Sequence, residues 1–359
     1  MGKDKNNQDM DGKCTVTKKD RVDWIDFAKG IGIILVIIGH SMTRLGGEGI
    51  QHIFIVLISS FYMPFFFFIS GINFKSDMSW SVFLKKKWKG IMYPTIIFSI
   101  ILFGGKFGIC CLDNRMNDFG EMVRLQGIDT LLMNRKSIVS EYWFLPALFV
   151  SEIVCFTYLK YCLKIKPLFI ISIVIFIMIK VCNAYFTLCL PFSLELGLIL
   201  LNFIVSGIWI ARRGQLERLT VSYKRLFLVG IVFLGGNIFE RVIGADNVSI
   251  GALKTGSFFM FWINAYSGIL AVIILAKMVK NIRVVNYFGK NSLSIYGMHY
   301  LFLEVFYFVC RDFVKEINTN VLVSISIVFG FVGCYVGCKI IDYVKSKRHL
   351  IMRFHCINE

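Results

Sequence analysis

The chain has 359 residues, of which 56% are hydrophobic and 18% charged, and its formal net charge is +17. Soluble domains are about 45–50% apolar and about 25% charged, so this composition excludes a water-soluble globular fold. It predicts an all-α bundle of transmembrane helices. On a soluble chain the positive charge would indicate a nucleic-acid partner, whereas here it predicts basic loops on the cytoplasmic side of a bilayer.

The eleven cysteines are an odd number and most of them sit inside apolar runs, where cysteine behaves as a small hydrophobic residue. We therefore predict no disulfide framework and no metal site. Residues 1–20 are polar and lysine-rich and predict a disordered cytoplasmic tail. The membrane-embedded part is predicted over 21–345, and a second cytoplasmic tail over 346–359.

Ten stretches are apolar enough to cross a bilayer core of about 30 Å, which takes about 20 residues of helix. They cover residues 27–42, 52–74, 91–111, 141–163, 167–186, 190–211, 226–243, 256–278, 292–310 and 321–341. With the N-terminus inside, the inner segments hold 27 of the 40 lysines and arginines. This bias predicts that both termini are cytoplasmic and that the protein spans the plasma membrane many times.

The first span carries Asp26, Lys29 and His40, although an ionisable residue inside a span costs about 2.5–3.5 kcal/mol on insertion scales. Lys29 and His40 are eleven positions apart, within about 20° of three full turns, so the three side chains share one stripe of the helix. This alignment favours a catalytic role. The simpler interpretation is that Lys29 extends to the headgroups and His40 caps an outer loop.

Other polar residues lie at span ends or in one basic segment, and each also has a structural interpretation. Ser70 ends a phenylalanine-rich span. Glu141 and Trp143 open the fourth span, where tryptophan is an ordinary interfacial anchor. His299 in the ninth span is either catalytic or a hydrogen-bonding core residue. The basic segment and the further acids within spans are Lys85, Lys86, Lys87, Lys89, Glu152, Glu195, Glu240 and Glu304. The lysines are also typical of a topology marker that contacts anionic lipid.

The pattern Arg21-x4-Asp26-x2-Lys29-x10-His40 resembles the first-helix signature of the acyltransferase 3 family of integral membrane proteins. Four further blocks follow in the order of that family: the run ending Ser70-Gly71, the basic segment before Pro94, Trp143-Phe144-Leu145, and Ser292-x3-Tyr296-x2-His299. The sequence from Trp24 to Ile33 is most similar to that of the fucose 4-O-acetylase-like branch. Many members have Arg-x-x-Arg where this chain has lysines, and the resemblance implies that Lys85, Lys86 and Lys89 bind the donor here.

The resemblance implies transfer of an acyl group, usually acetyl, from cytosolic acetyl-CoA to a hydroxyl of a cell-surface or exported glycan. A histidine suits removal of the hydroxyl proton, which predicts His40 as the base. Lys29 and Asp26 are the other predicted catalytic residues, and Asp26 is expected to pair with Lys29 one turn away. Lysines suit the donor phosphates. Whether His40 deprotonates the acceptor or first accepts the acyl group stays open at this point.

Two other classes of protein fit the composition. A transporter or flippase of a lipid-linked sugar would be indicated by inverted repeats or broken helices, and the sequence shows neither. A non-catalytic membrane scaffold would have no reason to align Asp26, Lys29 and His40 on one stripe.

Overall fold

The computed structural model of the chain describes residues 23–46, 48–162, 164–245, 248–279, 281–311 and 317–355, and side chains as far as Lys347. Its helices, in chain order, are α1 (Asp23–Leu45), α2 (Ile50–Ser59), α3 (Tyr62–Ile72), α4 (Trp80–Lys87), α5 (Tyr93–Leu112), α6 (Met116–Leu131), α7 (Phe144–Cys162), α8 (Ile165–Tyr185), α9 (Leu194–Arg212), α10 (Gln215–Arg218), α11 (Tyr223–Val242), α12 (Phe258–Val279), α13 (Arg283–Lys290), α14 (Ser292–Cys310) and α15 (Thr319–His355). A short antiparallel hairpin pairs β1 (Val248–Ser249) with β2 (Lys254–Thr255). The predicted all-α membrane bundle is confirmed.

Nine helical segments in the described ranges are long and apolar enough to cross a membrane. They are Asp23–Leu45, Ile50–Ile72, Trp80–Leu112, Ser140–Cys162, Ile165–Tyr185, Pro191–Arg212, Phe258–Val279, Ser292–Cys310 and Thr319–Lys347. The remaining predicted span forms α11, whose 20 residues carry charges near both ends. It packs along α12, and large apolar side chains such as Phe227 and Ile231 are exposed on it. That α11 is a tenth span remains a prediction.

The second span is broken between α2 and α3, at Ser60 and Phe61, so the expectation of unbroken spans was wrong there. Pro64 explains the break, because proline has no N–H to donate to the carbonyl of Ser60 four residues earlier and its ring crowds that carbonyl. Irregular backbone at membrane depth is tolerated where it lines a cavity. Tyr62 and Met63, directly after the break, line a cavity of the bundle.

The basic segment before Pro94 is helical, whereas its charge predicts a cytoplasmic loop. Ser79 caps α4 through its side-chain oxygen, which accepts from the backbone N–H of Val82. Five residues of π-helix, Trp88–Met92, then join α4 to α5. A π-turn rotates the residues before it relative to those after it, and such turns often occur at functional sites.

The bundle is packed around α9, most of whose side chains are buried, and which contacts α3, α7 and α8. Gly71 of α3 and Gly207 of α9 let these two backbones approach closely. A Cβ at Gly71 would lie 2.2 Å from the carbonyl oxygen of Ile204, and one at Gly207 would lie 2.2 Å from that of Phe68. On the other side α1 packs against α12, α13, α14 and α15. Two cavities, each lined by polar as well as apolar side chains, lie between the helices around α9 and those around α1.

Candidate active site

The first cavity, which we call the lysine cavity, has a volume of about 280 Å³ and lies beside the N-terminal part of α1. Lys29 of α1 and Lys87 of α4 are its two basic side chains, and Ser70 and Glu152 add a hydroxyl and a carboxylate. Both lysines are half-buried. The cavity can therefore receive an anionic group at a site where its charge is partly shielded from water.

Glu152 fixes the position of the Lys87 side chain in the cavity. The Nζ atom of Lys87 lies 2.6 Å from Oε1 of Glu152, and the Oγ of Ser70 donates to the same oxygen over 2.5 Å. The Glu152 carboxylate is 1% exposed, and a buried carboxylate requires a charged or hydrogen-bonding partner. Its second oxygen, Oε2, has no hydrogen-bond partner in the described part of the chain. That oxygen therefore has unused capacity to accept a hydrogen bond.

The second cavity, which we call the histidine cavity, has a volume of about 630 Å³ and lies beside the C-terminal part of α1. His40, Tyr62, Glu141, Trp143 and Tyr300 line it. β1 and the turn that follows it, together Val248 through Ala252, form one wall. A cavity of this size, with aromatic and hydrogen-bonding side chains, is suited to a polyhydroxylated ligand.

His40 is the centre of an aromatic cluster. The hydroxyl of Tyr300 lies 2.6 Å from Nδ1 of His40, and the two rings are 4.6 Å apart. The ring of His299 lies 5.2 Å from that of His40 and is fully buried. Nδ1 of His299 is 2.7 Å from the carbonyl oxygen of Tyr296. Because a carbonyl can only accept, the proton of a neutral His299 is on Nδ1, and Nε2 is an acceptor.

Glu141 and the turn around it are fixed by hydrogen bonds from two other helices. Lys106 of α5 lies 2.6 Å from Oε1 of Glu141. From α14, the hydroxyl of Tyr296 donates to the backbone carbonyl of Glu141 over 2.9 Å. The hydroxyl of Tyr142 donates in return to the carbonyl of Gly297 over 2.5 Å. The start of α7 and the middle of α14 are therefore held in one register.

The hairpin wall rests directly on Trp143. A Cβ at Gly251 would lie 2.9 Å from the indole Nε1 of Trp143, so only glycine allows this approach. Glu240 of α11 anchors the base of the hairpin, since its carboxylate accepts from the backbone N–H of Ser257 and from the side chain of Asn264, each over 2.9 Å. The indole face and its glycine cover are thus preorganised.

An aromatic layer separates the two cavities. Phe66, Phe144 and Tyr296 line the lysine cavity, and the ring of Phe144 lies 5.9 Å from that of Phe66 and 5.4 Å from that of Tyr296. Tyr62 and Tyr300, each one helical turn away along α3 and α14, line the histidine cavity. One turn of helix is about 5.4 Å, so the cavities approach each other within one layer of side chains.

The structure places the sequence-predicted residues as follows. Lys29 and Ser70 line the lysine cavity, and His40, Glu141 and Trp143 line the histidine cavity. His299 is buried against His40, whereas Asp26 is buried outside both linings. Lys85, Lys86 and Lys89 are exposed and line neither cavity. Arg21 lies outside the described residues.

Sequence reasoning did not single out Lys87, Glu152 and Tyr300 as site residues. Glu152 had a signal, because an acid inside a span predicts a basic or polar partner. All four such acids have partners: Glu195 pairs with Arg135 over 3.2 Å and Glu304 with Arg44 over 3.0 Å, beside the contacts of Glu152 and Glu240 described above. Tyr300 had no comparable signal among fourteen tyrosines.

The described side chains do not bring three potential metal ligands together. The cavities instead present lysine, carboxylate, imidazole and phenol groups, which bind anions and transfer protons. Fold and site together define a multi-pass membrane protein with a polar site inside its helix bundle.

The chain belongs to the acyltransferase 3 family, whose model, described as an acyltransferase domain, matches residues 22–339. It is therefore a membrane acyltransferase. It has no significant match among curated proteins or among solved structures.

Proposed function

We propose that the protein is a membrane O-acyltransferase that moves an acetyl group from cytosolic acetyl-CoA to a hydroxyl of a cell-surface or exported glycan. The observation that carries the proposal is the pair of cavities along α1. Lys29 lines one and His40 the other, and only an aromatic layer separates them. Donor and acceptor then approach the reacting centre from opposite sides of the membrane.

The lysine cavity suits the donor. Lys29 and Lys87 supply positive charge for the anionic part of coenzyme A, and Ser70 and Glu152 add hydrogen-bonding groups beside them. Along α1, Lys29 and His40 are separated by about 16 Å, at about 1.5 Å per residue. An extended pantetheine arm has a length of this order. Lys85 and Lys86 of α4, and Lys89 of the π-helical segment that follows it, would attract the donor from solution, since they are exposed.

The histidine cavity suits the acceptor. Trp143 lines the cavity with an aromatic ring that suits the apolar side of a sugar, and Glu141 and Tyr300 offer hydrogen-bonding groups to its hydroxyls. His40 is the base that receives the hydroxyl proton. The cavity has room for a monosaccharide unit at the end of a chain. We assign the protein to the fucose 4-O-acetylase-like branch of the family on the sequence from Trp24 to Ile33.

In the transfer, the acceptor oxygen attacks the thioester carbonyl while its proton moves to the base. The C–S bond breaks, and the thiolate of coenzyme A leaves into the lysine cavity and takes up a proton. Because the aromatic layer keeps the thioester apart from water in the histidine cavity, hydrolysis is suppressed until an acceptor is bound.

The direct test uses the purified protein in nanodiscs with isotopically labelled acetyl-CoA and a panel of glycan acceptors. We expect release of coenzyme A that depends on the acceptor, and a gain by one glycan of the mass of an acetyl group. Binding of a lipid-linked sugar and its movement across a liposome membrane, with no consumption of acetyl-CoA, would instead identify a flippase. Mass spectrometry of surface glycans from cells with and without the gene would then name the acceptor.

A further inference from the structure

The hydroxyl of Tyr300 lies beside Nδ1 of His40, where a substrate hydroxyl would have to lie to transfer its proton directly to that nitrogen. Its hydroxyl is 2.6 Å from Nδ1 and 3.4 Å from Nε2, so Nδ1 is the hydrogen-bond partner. The two residues come from different helices, α14 and α1, and both line the histidine cavity. A substrate in this cavity therefore meets the Tyr300 hydroxyl and the His40 ring side by side.

The direction of this hydrogen bond follows from the two groups. A phenol is a much better donor than acceptor, and the lone pair of a neutral imidazole is a good acceptor. Tyr300 makes its hydroxyl hydrogen bonds to His40 alone among the described side chains. With Tyr300 donating to Nδ1, neutral His40 carries its own proton on Nε2. The basic nitrogen then reaches the acceptor only through the tyrosine oxygen.

We propose that Tyr300 is a catalytic residue that relays the proton from the acceptor hydroxyl to His40; this inference rests on the acyltransferase function proposed above. As the acceptor oxygen bonds to the thioester carbonyl carbon, its O–H bond breaks and a new O–H bond forms on Tyr300. The original O–H bond of Tyr300 breaks at the same time, and its proton forms an N–H bond at Nδ1 of His40.

The step is balanced without any further reactant. The electron pair of the C–S bond leaves with the thiolate, and the relay then runs in reverse: Tyr300 gives its proton to the thiolate as Nδ1 of His40 returns its proton to the tyrosine oxygen. Both side chains are then in their starting state. A free phenolate is never formed, because Tyr300 gains one proton as it loses another. The base of the reaction is thus the Tyr300–His40 pair rather than His40 alone.

The relay predicts that removing the Tyr300 hydroxyl lowers the transfer rate nearly as much as removing the His40 imidazole. Tyr300→Phe should lower the single-turnover rate by roughly 10²–10⁴, the usual range for acid–base catalysis, with donor binding preserved. Tyr307→Phe is the matched control, since Tyr307 lies two turns further along α14 with its ring beneath the Arg44 guanidinium, and it lines neither cavity.

Rates measured in mixtures of light and heavy water distinguish a relay from mere positioning of His40. Two protons move in the relay, so the wild-type single-turnover rate should fall along a curved, quadratic function of the deuterium fraction. The residual rate of Tyr300→Phe should fall linearly. A linear wild-type function, or a near-normal rate for Tyr300→Phe, would overturn the relay. Nδ1 of His40 would then carry the proton and donate to Tyr300, and Nε2 would be the base.

Incorporation of 3-fluorotyrosine at position 300 keeps the ring and its packing but makes the phenol more acidic. The relay predicts a changed single-turnover rate, because the phenol gains and loses a proton in the rate-determining step, whereas a rate equal to that of wild type contradicts it. Absence of transfer by the wild-type protein with every acceptor would refute the proposed function instead. The two failures are therefore distinguishable.

Discussion

Tyr296 and Tyr300 lie one turn apart on α14 and line different cavities, Tyr296 the lysine cavity and Tyr300 the histidine cavity. The same relationship holds on α3 between Phe66 and Tyr62. Trp143 and Phe144, where α7 begins, also line different cavities, Trp143 the histidine cavity and Phe144 the lysine cavity. The boundary between the two cavities therefore crosses α3, α14 and the start of α7 at the same level. The reacting atoms would meet at this level.

The ring of Phe144 lies beside those of Phe66 and Tyr296 in the aromatic layer between the cavities. Its replacement by a smaller side chain should therefore connect the two cavities. Phe144→Leu should raise hydrolysis of acetyl-CoA in the absence of an acceptor severalfold, because water would reach the thioester. The measurement is coenzyme A release without a glycan. Phe259→Leu is the control, since Phe259 is 72% exposed on α12. Unchanged hydrolysis in a folded Phe144→Leu protein would show that the ring does not exclude water.

Lys87 rather than Lys86 should be the lysine on which donor affinity depends, because Lys87 lines the lysine cavity and Lys86 is exposed. Lys87→Gln should raise the donor KM by roughly tenfold or more, the equivalent of the about 1.5–3 kcal/mol of a charge-assisted hydrogen bond. Lys86→Gln should change it little. The measurement is the initial rate against acetyl-CoA concentration at saturating acceptor.

Loss of Lys87 also leaves the buried Glu152 carboxylate without its cation, which lowers stability by itself. The double variant Lys87→Gln/Glu152→Gln removes that buried charge. Stability should recover in the double variant while donor KM stays high. If the double variant regained both wild-type stability and the wild-type donor KM, Lys87 would act on folding alone.

The helices and the first-span residues were predictable because a bilayer imposes strong rules on sequence. A span needs a long apolar run, and Lys29 and His40 stand out because ionisable residues are costly there. The choice of Lys87 over its neighbours was not predictable. It depends on the π-turn of Trp88–Met92 and on a carboxylate, Glu152, that is 65 positions away.

The histidine cavity was less predictable than the lysine cavity. Glu141 and Trp143 have the signature of interfacial anchors, and no periodicity shows that a hairpin closes over the indole. Tyr300 follows His299 directly and looks like any aromatic residue of a membrane helix. Its contact with His40 joins residues 260 positions apart, and such a contact comes only from the packing of α1 against α14.

Orientation in the membrane is a separate prediction. The lysine and arginine bias predicts that both termini are cytoplasmic, which requires α11 to cross as a tenth span. Reporter fusions at each terminus, read in intact cells, should both report the cytoplasm. A C-terminus outside the cell would mean nine crossings, and α11 would then lie along the bundle without spanning it.

Asp113 joins the end of α5 to the end of α14 and makes stability depend on pH. Its carboxylate accepts from Arg311, and Arg115 lies 2.9 Å away; these contacts hold the pKa of Asp113 below its ordinary value. The stabilisation is therefore present above the ordinary aspartate pKa of about 4 and is lost as the pH falls through the lower folded-state pKa. Asp113→Asn should lower the Tm at neutral pH, and its difference from wild type should shrink in acid.

The control for Asp113 is Glu121→Gln, since Glu121 and Arg124 form an ion pair in which both side chains are more than half exposed. Exposed pairs contribute little to stability, so its Tm should match wild type at every pH. A Tm difference for Asp113→Asn that persists unchanged in acid would contradict the role of the carboxylate charge.

His40 takes up the proton that the transfer releases, whether directly or through Tyr300, and the most direct measurement of this role is the single-turnover rate of His40→Gln with acetyl-CoA already bound. Glutamine keeps hydrogen-bonding capacity but does not take up a proton at neutral pH. We predict a rate lower by roughly 10²–10⁴, with donor affinity unchanged and the protein still monodisperse in detergent. A well-folded His40→Gln protein with near-normal turnover would contradict the mechanism and leave buried His299 as the next candidate for the base.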